Sequence, residues 1–143
     1  MSVAKLYTPE LLGLAVEVSQ HPPLAQTGAR AEARSPTCGS VVAMDLVVNE
    51  VGRIEQLGMR VHACAVGQAA AAIFARHAAG RSAEEIGTAL RALEEWLSGE
   101  SGLADWPDLH LIAAAQPYPG RHGAILLPWR AAFAALSSDA RAS

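Results

Sequence analysis

The sequence predicts an α+β fold, with a three-stranded antiparallel sheet near the N-terminus packed by several α-helices. Three observations carry that prediction. Between residues 28 and 63 the apolar residues recur with a period of two, as on a strand. From Cys64 onward the period is helical to the end of the chain. A helix precedes the strands, so the order is one helix, three strands, then helices alone, which is the α+β pattern. At 143 residues the chain is sized for one domain, spanning 1–143, with no internal repeat or boundary.

Thr8-Pro9-Glu10 reads as a helix start: a capping hydroxyl, a proline in the first turn and an acid at the positive end of the dipole. Leu11, Leu14 or Ala15, and Val18 give that helix one apolar face, and His21-Pro22-Pro23 ends it. Ala29, Ala31 and Ala33 then alternate with Arg30, Glu32 and Arg34, the pattern of a half-buried edge strand. Pro36 closes the strand and Cys38 sits on the following turn. The second strand runs from Val41 to Val48 with Val42, Met44, Leu46 and Val48 on one face, and Asn49-Glu50-Val51-Gly52 is a hairpin turn. The third strand carries Leu57, Met59 and Val61 inward. Ile54 is out of step with them, which predicts a bulge or bend near Gln56 to Gly58. The first helix and those at 64–78 and 83–97 are expected to pack on the inner face of this sheet.

From Cys64 to about His77 the pattern is helical, with Val66, Ala69 or Ala70, Ile73 and Phe74 inward and Gly80 as a stop. Ser82-Ala83-Glu84-Glu85 is a capping box, followed by the stripe Ile86, Leu90, Leu93, Leu97. Leu109 to Ala115 is a short helix by pattern, and Pro117-Tyr118-Pro119-Gly120 breaks the chain again. The last helix contains Trp129, Ala132, Phe133 and Leu136, and the stretch from Ser137 to Ser143 is expected to fray.

Composition excludes some function classes. Charged residues make up 17% and the formal net charge is −3, with Lys5 the sole lysine. No basic run could track phosphates, which argues against nucleic acid. No apolar stretch approaches the roughly 20 residues of a membrane span, because Arg60, Arg76 and Arg91 interrupt the candidates. No signal peptide is recognisable, so a reducing cytoplasm is the expected compartment, where metal or redox use of cysteine outranks a structural disulfide.

The two cysteines, Cys38 and Cys64, carry the chemistry. Each stands where an extended segment meets another element, so a fold could point both thiols into one pocket. Gly39 removes side-chain bulk beside Cys38 and tolerates positive φ. Cys64 opens an alanine-rich helix, where free amides and the macrodipole favour a thiolate. Residue types alone leave three uses open: metal binding, a disulfide, or two small half-buried apolar groups. Ser40 has no nucleophile elbow around it. A Cys–His thiol enzyme pairing Cys38 or Cys64 with His122 lacks any recognisable oxyanion or cofactor loop.

Specific pieces of the chain match a known family. They are Tyr7 with its following helix, His21-Pro22 before a loop, Cys38-Gly39, Ala63-Cys64-Ala65 opening a helix, and Arg121-His122-Gly123-Ala124-Ile125-Leu126-Leu127-Pro128-Trp129. With these the chain resembles the iron–sulfur cluster assembly scaffold family, the IscU/SufU/NifU N-terminal domain fold, over nearly its whole length. The resemblance implies a non-enzymatic scaffold or carrier that binds iron or a [2Fe–2S] cluster through Cys38 and Cys64, with zinc as another candidate ion, for transfer to apo-proteins. It implies a cysteine desulfurase and apo iron–sulfur proteins as partners and leaves the oligomeric state open. Family members also carry a third cysteine three residues after the arginine, and an aspartate two residues after the first cysteine. Here Ala124 and Ser40 hold those positions. His122 and then His62 are the nearest candidate replacements as ligands, ahead of His21 and His77. The Leu127-Pro128-Trp129 segment reads as packing. Two further readings follow from the departures: a degenerate interaction or regulatory module that has lost cluster assembly, and a small thiol-dependent transferase.

Overall fold

The structure, a computed structural model, describes residues 6–26 and 28–138. In chain order these form helix α1 (Pro9–Glu17), strands β1 (Ala29–Arg34), β2 (Val41–Val48) and β3 (Ile54–His62), and helices α2 (Ala65–His77), α3 (Ala83–Ser98) and α4 (Pro119–Ser138). Short 3-10 turns occupy Val18–Gln20 and Leu109–Ala115. The sheet is antiparallel in the order β1-β2-β3, and the α+β architecture is the one expected.

The start signals work as chemistry requires. The Thr8 hydroxyl accepts from the Leu11 amide at 3.1 Å with Pro9 behind it. Ser82 and Glu85 satisfy each other's backbone amides, at 3.2 and 3.1 Å, in a reciprocal cap on α3. The 49–52 turn is held by the Asn49 side chain, which accepts from the amides of Val51 and Arg53.

The inner face of the sheet is built in cross-strand rows: Ala33–Val42–Val61, Ala31–Met44–Met59 and Ala29–Leu46–Leu57. Val42, Met44, Leu46 and Val48 are all buried. The alanines of β1 leave room for a helix backbone, and that helix is α4, which lies on β1 and β2. α1 packs on α2, α2 lies between α1 and α4, and α3 packs on α4. This corrects the expectation that α1, α2 and α3 would cover the sheet. Helix α4 is apolar on nearly every side from Ala124 to Ala132, as a central helix must be.

The third strand also differs in detail. Val47 pairs with Gln56 and Val48 with Ile54, so the bulged residue is Glu55, just before the expected stretch. The bulge returns Ile54 to the core at 2% exposure. Gly58 has another reason to be glycine. The segment after α1 crosses the outer face of the sheet there, and a Cβ on Gly58 would run into the Pro22 carbonyl oxygen. His21 O accepts from Met59 N at 2.9 Å, fixing that crossing.

Trp106 stacks on Phe74 and Trp129 packs edge-on to both, with ring centroids 5.3–5.5 Å apart. The Leu127-Pro128-Trp129 segment is buried inside this core, as packing. Of the tail expected to fray, Ser137 and Ser138 finish α4, and the remainder lies outside the described residues.

Candidate functional site

At one end of the sheet, the β1–β2 turn, the end of β3 and the starts of α2 and α4 surround an open cavity of about 430 Å³. Cys38 and Cys64 both line it, although 26 residues separate them in sequence. Ser40, His62, Gln68 and Arg121 complete its polar lining, and Gly39 and Gly120 line it as well.

Cys38 is placed by a tight turn. Ser35 N donates to Ser40 O, and Gly39 N donates to Ser35 O, each at 2.9 Å. The turn requires φ +73° at Gly39, a left-handed conformation that glycine adopts without a Cβ penalty. Cys38 is exposed, whereas Ser35 and Ser40 are buried beneath it. Hydrogen bonds from the Ser35 hydroxyl, and next from Ser40, hold the Cys38 thiol below its ordinary value. The Cys38 Sγ to Ser40 Oγ distance is 3.0 Å. Such a thiol is present as thiolate at lower pH than an unassisted one, which is the form that binds metals.

Ser35 is itself wedged against α4. A Cβ on Gly123 would overlap the Ser35 Oγ and lie 3.1 Å from the Ser35 Cβ. Glycine at 123 therefore lets the cysteine-bearing turn seat on the helix.

Cys64 is the N-cap of α2. Its backbone is extended (φ −65°, ψ 171°) and its side chain makes no capping hydrogen bond, so the sulfur is available to the cavity it half-faces. Its carbonyl accepts from Gln68 N at 2.9 Å, and Gln68 Nε2 donates to Ala63 O at 3.0 Å, bracing the strand-to-helix corner. On the opposite wall, Arg121 donates to the Tyr7 hydroxyl at 3.2 Å. None of the described residues lining the cavity is a carboxylate.

The other sequence candidates fall out differently. His62 is in the wall. His122 is not: its Nε2 lies 2.6 Å from Gln116 O, a contact within its own helix-start region. His77 is 2.8 Å from Asp108 and, like His21, is not among the lining residues. Ala124 is buried at 1% exposure, and its Cβ is 3.0 Å from where a Cβ on Gly67 would stand. It belongs to the α2–α4 packing seam rather than to the cavity wall. Among the described residues no group of three His, Cys, Asp or Glu side chains could hold a metal ion. The cavity thus offers two cysteine sulfurs and no carboxylate donor. Ser35 and Gln68 were not singled out from sequence, and Arg121 was noted only as part of a motif. Ser35 stood three residues before Cys38, but its role depends on Gly123, 88 residues away, which no local pattern encodes.

No protein-family model and no curated protein matches the sequence. Solved structures do match. A nitrogen-fixing NifU-like protein (N-terminal part) from Brucella abortus superposes with a TM-score of 0.85 at 26% identity, covering 94% of each chain. The fold is that of the IscU/SufU/NifU-like scaffold family. A protein described as an iron–sulfur cluster assembly scaffold for the SUF system, from Fervidobacterium islandicum AW-1, matches with a TM-score of 0.82 at 18% identity. That match covers 94% of this chain and 99% of the other. A structure titled only as a hypothetical protein matches at a TM-score of 0.74 and 21% identity, over 89% of this chain and 96% of its own. No described helix is long and apolar enough to cross a membrane.

Proposed function

We propose that this chain is an iron–sulfur cluster scaffold or carrier that holds iron or a [2Fe–2S] cluster as cargo through Cys38 and Cys64 and passes it to apo-proteins. One observation carries the reading: the two cysteines, remote in sequence and on different elements, line one open cavity. The likeness to NifU-like and SufU structures supports it. In this reading a cysteine desulfurase supplies the sulfur. Ser35 and Ser40 favour the Cys38 thiolate, and the start of α2 places free amides beside Cys64. A [2Fe–2S] cluster takes four ligands, typically thiolates, so these two supply half the set.

A second reading has its own observation. Ala124 stands at the third-cysteine position, buried against Gly67, as in a module that has kept the fold without its cargo. The thiol-transferase reading loses its base, because the His122 imidazole is engaged by the Gln116 carbonyl.

Anaerobic reconstitution with ferric ions and sulfide, read as iron and acid-labile sulfide per chain, separates the two. The wild type is expected to load, Cys38→Ser and Cys64→Ser to lose the load, and His122→Ala to leave it unchanged. Ala124→Cys should increase occupancy. If the wild type and Cys64→Ser are equally empty while Ala124→Cys loads, the second reading holds.

A further inference from the structure

We infer that strand β1 is a docking edge for a second copy of this chain. The two β1 strands pair antiparallel about a twofold axis at Ala31, so that Arg30 of each copy faces Glu32 of the other and the two sheets become one. The surface lies apart from the two cysteines, since no residue of β1 lines their cavity. The inference stands whether or not the cavity holds cargo.

The edge is bare. β1 is the outer strand in the order β1-β2-β3. Ser35 N donates to Ser40 O just beyond the Arg34–Val41 pair, and the bonded pairs of an antiparallel ladder recur at every second residue. Ala33, Ala31 and Ala29 therefore turn their amides and carbonyls to β2, while Arg30, Glu32 and Arg34 turn theirs outward. Among the described residues, none of those three has a backbone hydrogen bond outside the strand pairing. The inner row is also unfinished: Ala31 and Ala33 face the core yet are only half-buried.

Nothing blunts this edge. Strands that avoid neighbours carry a proline, a bulge or an inward charge. β1 has no proline from Ala29 to Arg34, keeps an unbroken register with β2, and points only alanines inward.

Charge names the partner and the register. The outer face of β1 reads Arg30, Glu32, Arg34, alternating in sign, so that a reversed and shifted copy is its complement. With the axis at Ala31, each Arg30 opposes a Glu32, and on the inner face alanine meets only alanine. An axis at Glu32 sets Glu32 against Glu32 and Arg30 against Arg34, like charges that destabilise a strand pair. An axis at Ala33 sets Arg30 against Pro36, which has no N–H, and Ala31 against Ser35, which is wedged on α4. Both charged groups are within reach of the join. Arg30 is held over the outer face by Asp45 at 2.9 Å with its side chain still 64% exposed, and Glu32 touches only Arg34, at 3.2 Å, in an exposed pair that is weakly held. Each Arg30–Glu32 pair exchanges two backbone hydrogen bonds, about four across the join. The contact is self-complementary, as a twofold requires.

The test uses the full chain with metals chelated and a phosphine as reductant, so that neither a cluster nor a disulfide can join two copies. Sedimentation equilibrium over a concentration series should show a species of twice 14.9 kDa in balance with the single chain. Amide exchange read by NMR locates the join: the Arg30 and Glu32 amides should be protected in the concentrated sample and exposed on dilution, while those of Ala31 and Ala33 stay protected in both. Glu32→Arg should weaken association about tenfold or more, and mixing it with Arg30→Glu, which restores opposite charges at every pair, should recover a mixed dimer. Glu32→Pro removes an outward amide without breaking a bond to β2, so it should abolish the dimer with circular dichroism unchanged. A single-chain mass at every concentration would overturn the inference. So would a dimer that survives Glu32→Pro, or one in which the Arg30 and Glu32 amides exchange freely. None of these outcomes bears on iron loading, which is measured separately.

Discussion

Substituting Gly123 by alanine tests whether the cysteine turn is tuned through α4. The added methyl would occupy the space of the Ser35 hydroxyl, so Ser35 must rotate or its turn must lift. Two stability effects oppose each other. Alanine in place of glycine in a helix gains about 1 kcal/mol, whereas overpacking a tight contact costs about 1–3 kcal/mol. The net lies between roughly zero and about 2 kcal/mol of destabilisation, a fall in Tm of at most about 8 °C, and the protein stays folded. The thiol responds more selectively. Ser35 is the foremost donor holding the Cys38 thiol below its ordinary value, so displacing it raises the pH at which Cys38 ionises. The assay is the rate of iodoacetamide alkylation against pH, measured in a Cys64→Ser background so that Cys38 alone reports. Gly123→Ala and Ser35→Ala should both shift the midpoint upward, with far-ultraviolet circular dichroism unchanged. A folded Ser35→Ala protein whose midpoint coincides with that of its parent would refute the reasoning.

Gly58→Ala should push the 21–24 segment off the sheet, since the nearest obstacles are the Pro22 carbonyl oxygen and, at 3.0 Å, the Leu24 amide nitrogen. The loss of Met59 N to His21 O and Leu24 N to Asp45 Oδ2 should cost about 3 kcal/mol, seen as a lower urea midpoint with little change in slope. Gly13 sits in exposed α1 with nothing within 4 Å, so Gly13→Ala should raise stability by about 0.5–1 kcal/mol; an unchanged or lower Tm would count against the packing described for α1. Arg76 links α1 to the residues before the Leu109–Ala115 turn, through Glu17 at 2.7 Å and Asp108 at 3.1 Å. Its hydrogen bonds depress the Glu17 carboxyl below 4.5, and His77 followed by Arg76 depresses Asp108 below 3.8. In that window the unfolded chain binds more protons. The stabilisation is therefore complete above the ordinary carboxylate values and fades as pH falls through the folded ones. Arg76→Ala should cost about 1 kcal/mol near neutrality after solvent screening, and urea melts should show that gap narrowing as the pH falls below the ordinary carboxylate values.

Elements were legible from the sequence where their signals are local. The switch of period at Cys64, the Thr8 and Ser82 caps and the Asn49–Gly52 turn each depend on residues within a few positions, and each is found in place. Their packing partners were not legible. Amphipathicity shows that Leu11 and Leu14 are buried but not against what, and the answer is α2 rather than the sheet. The all-round apolar character of Ile125 to Trp129 marks a central helix, yet Gly123 and Pro128 blur the helical signal. Pro128 cannot donate to the Ala124 carbonyl four residues back, and burial among neighbouring elements carries α4 through it. Gly58 misplaced the bulge for a related reason: its lack of a side chain answers to Pro22, a contact from another part of the chain.

The two cysteines were legible as a pair, but the identity of a replacement ligand was not, and helix geometry explains why. Read as sequence, His122 is the imidazole nearest the lost position at Ala124. Once α4 is seen to begin at Pro119, two residues of separation become a rotation of about 200° around the helix axis. Arg121 and Ala124, three apart, can share a side of the helix; His122 and Ala124 cannot. Consistently, Arg121 lines the cavity while His122 turns to the Gln116 carbonyl. A ligand missing at position 124 therefore has no substitute from its near neighbours on α4. Supply must come from a different element or from outside the chain, and His62 at the end of β3, which lines the cavity, is the imidazole that a different element offers.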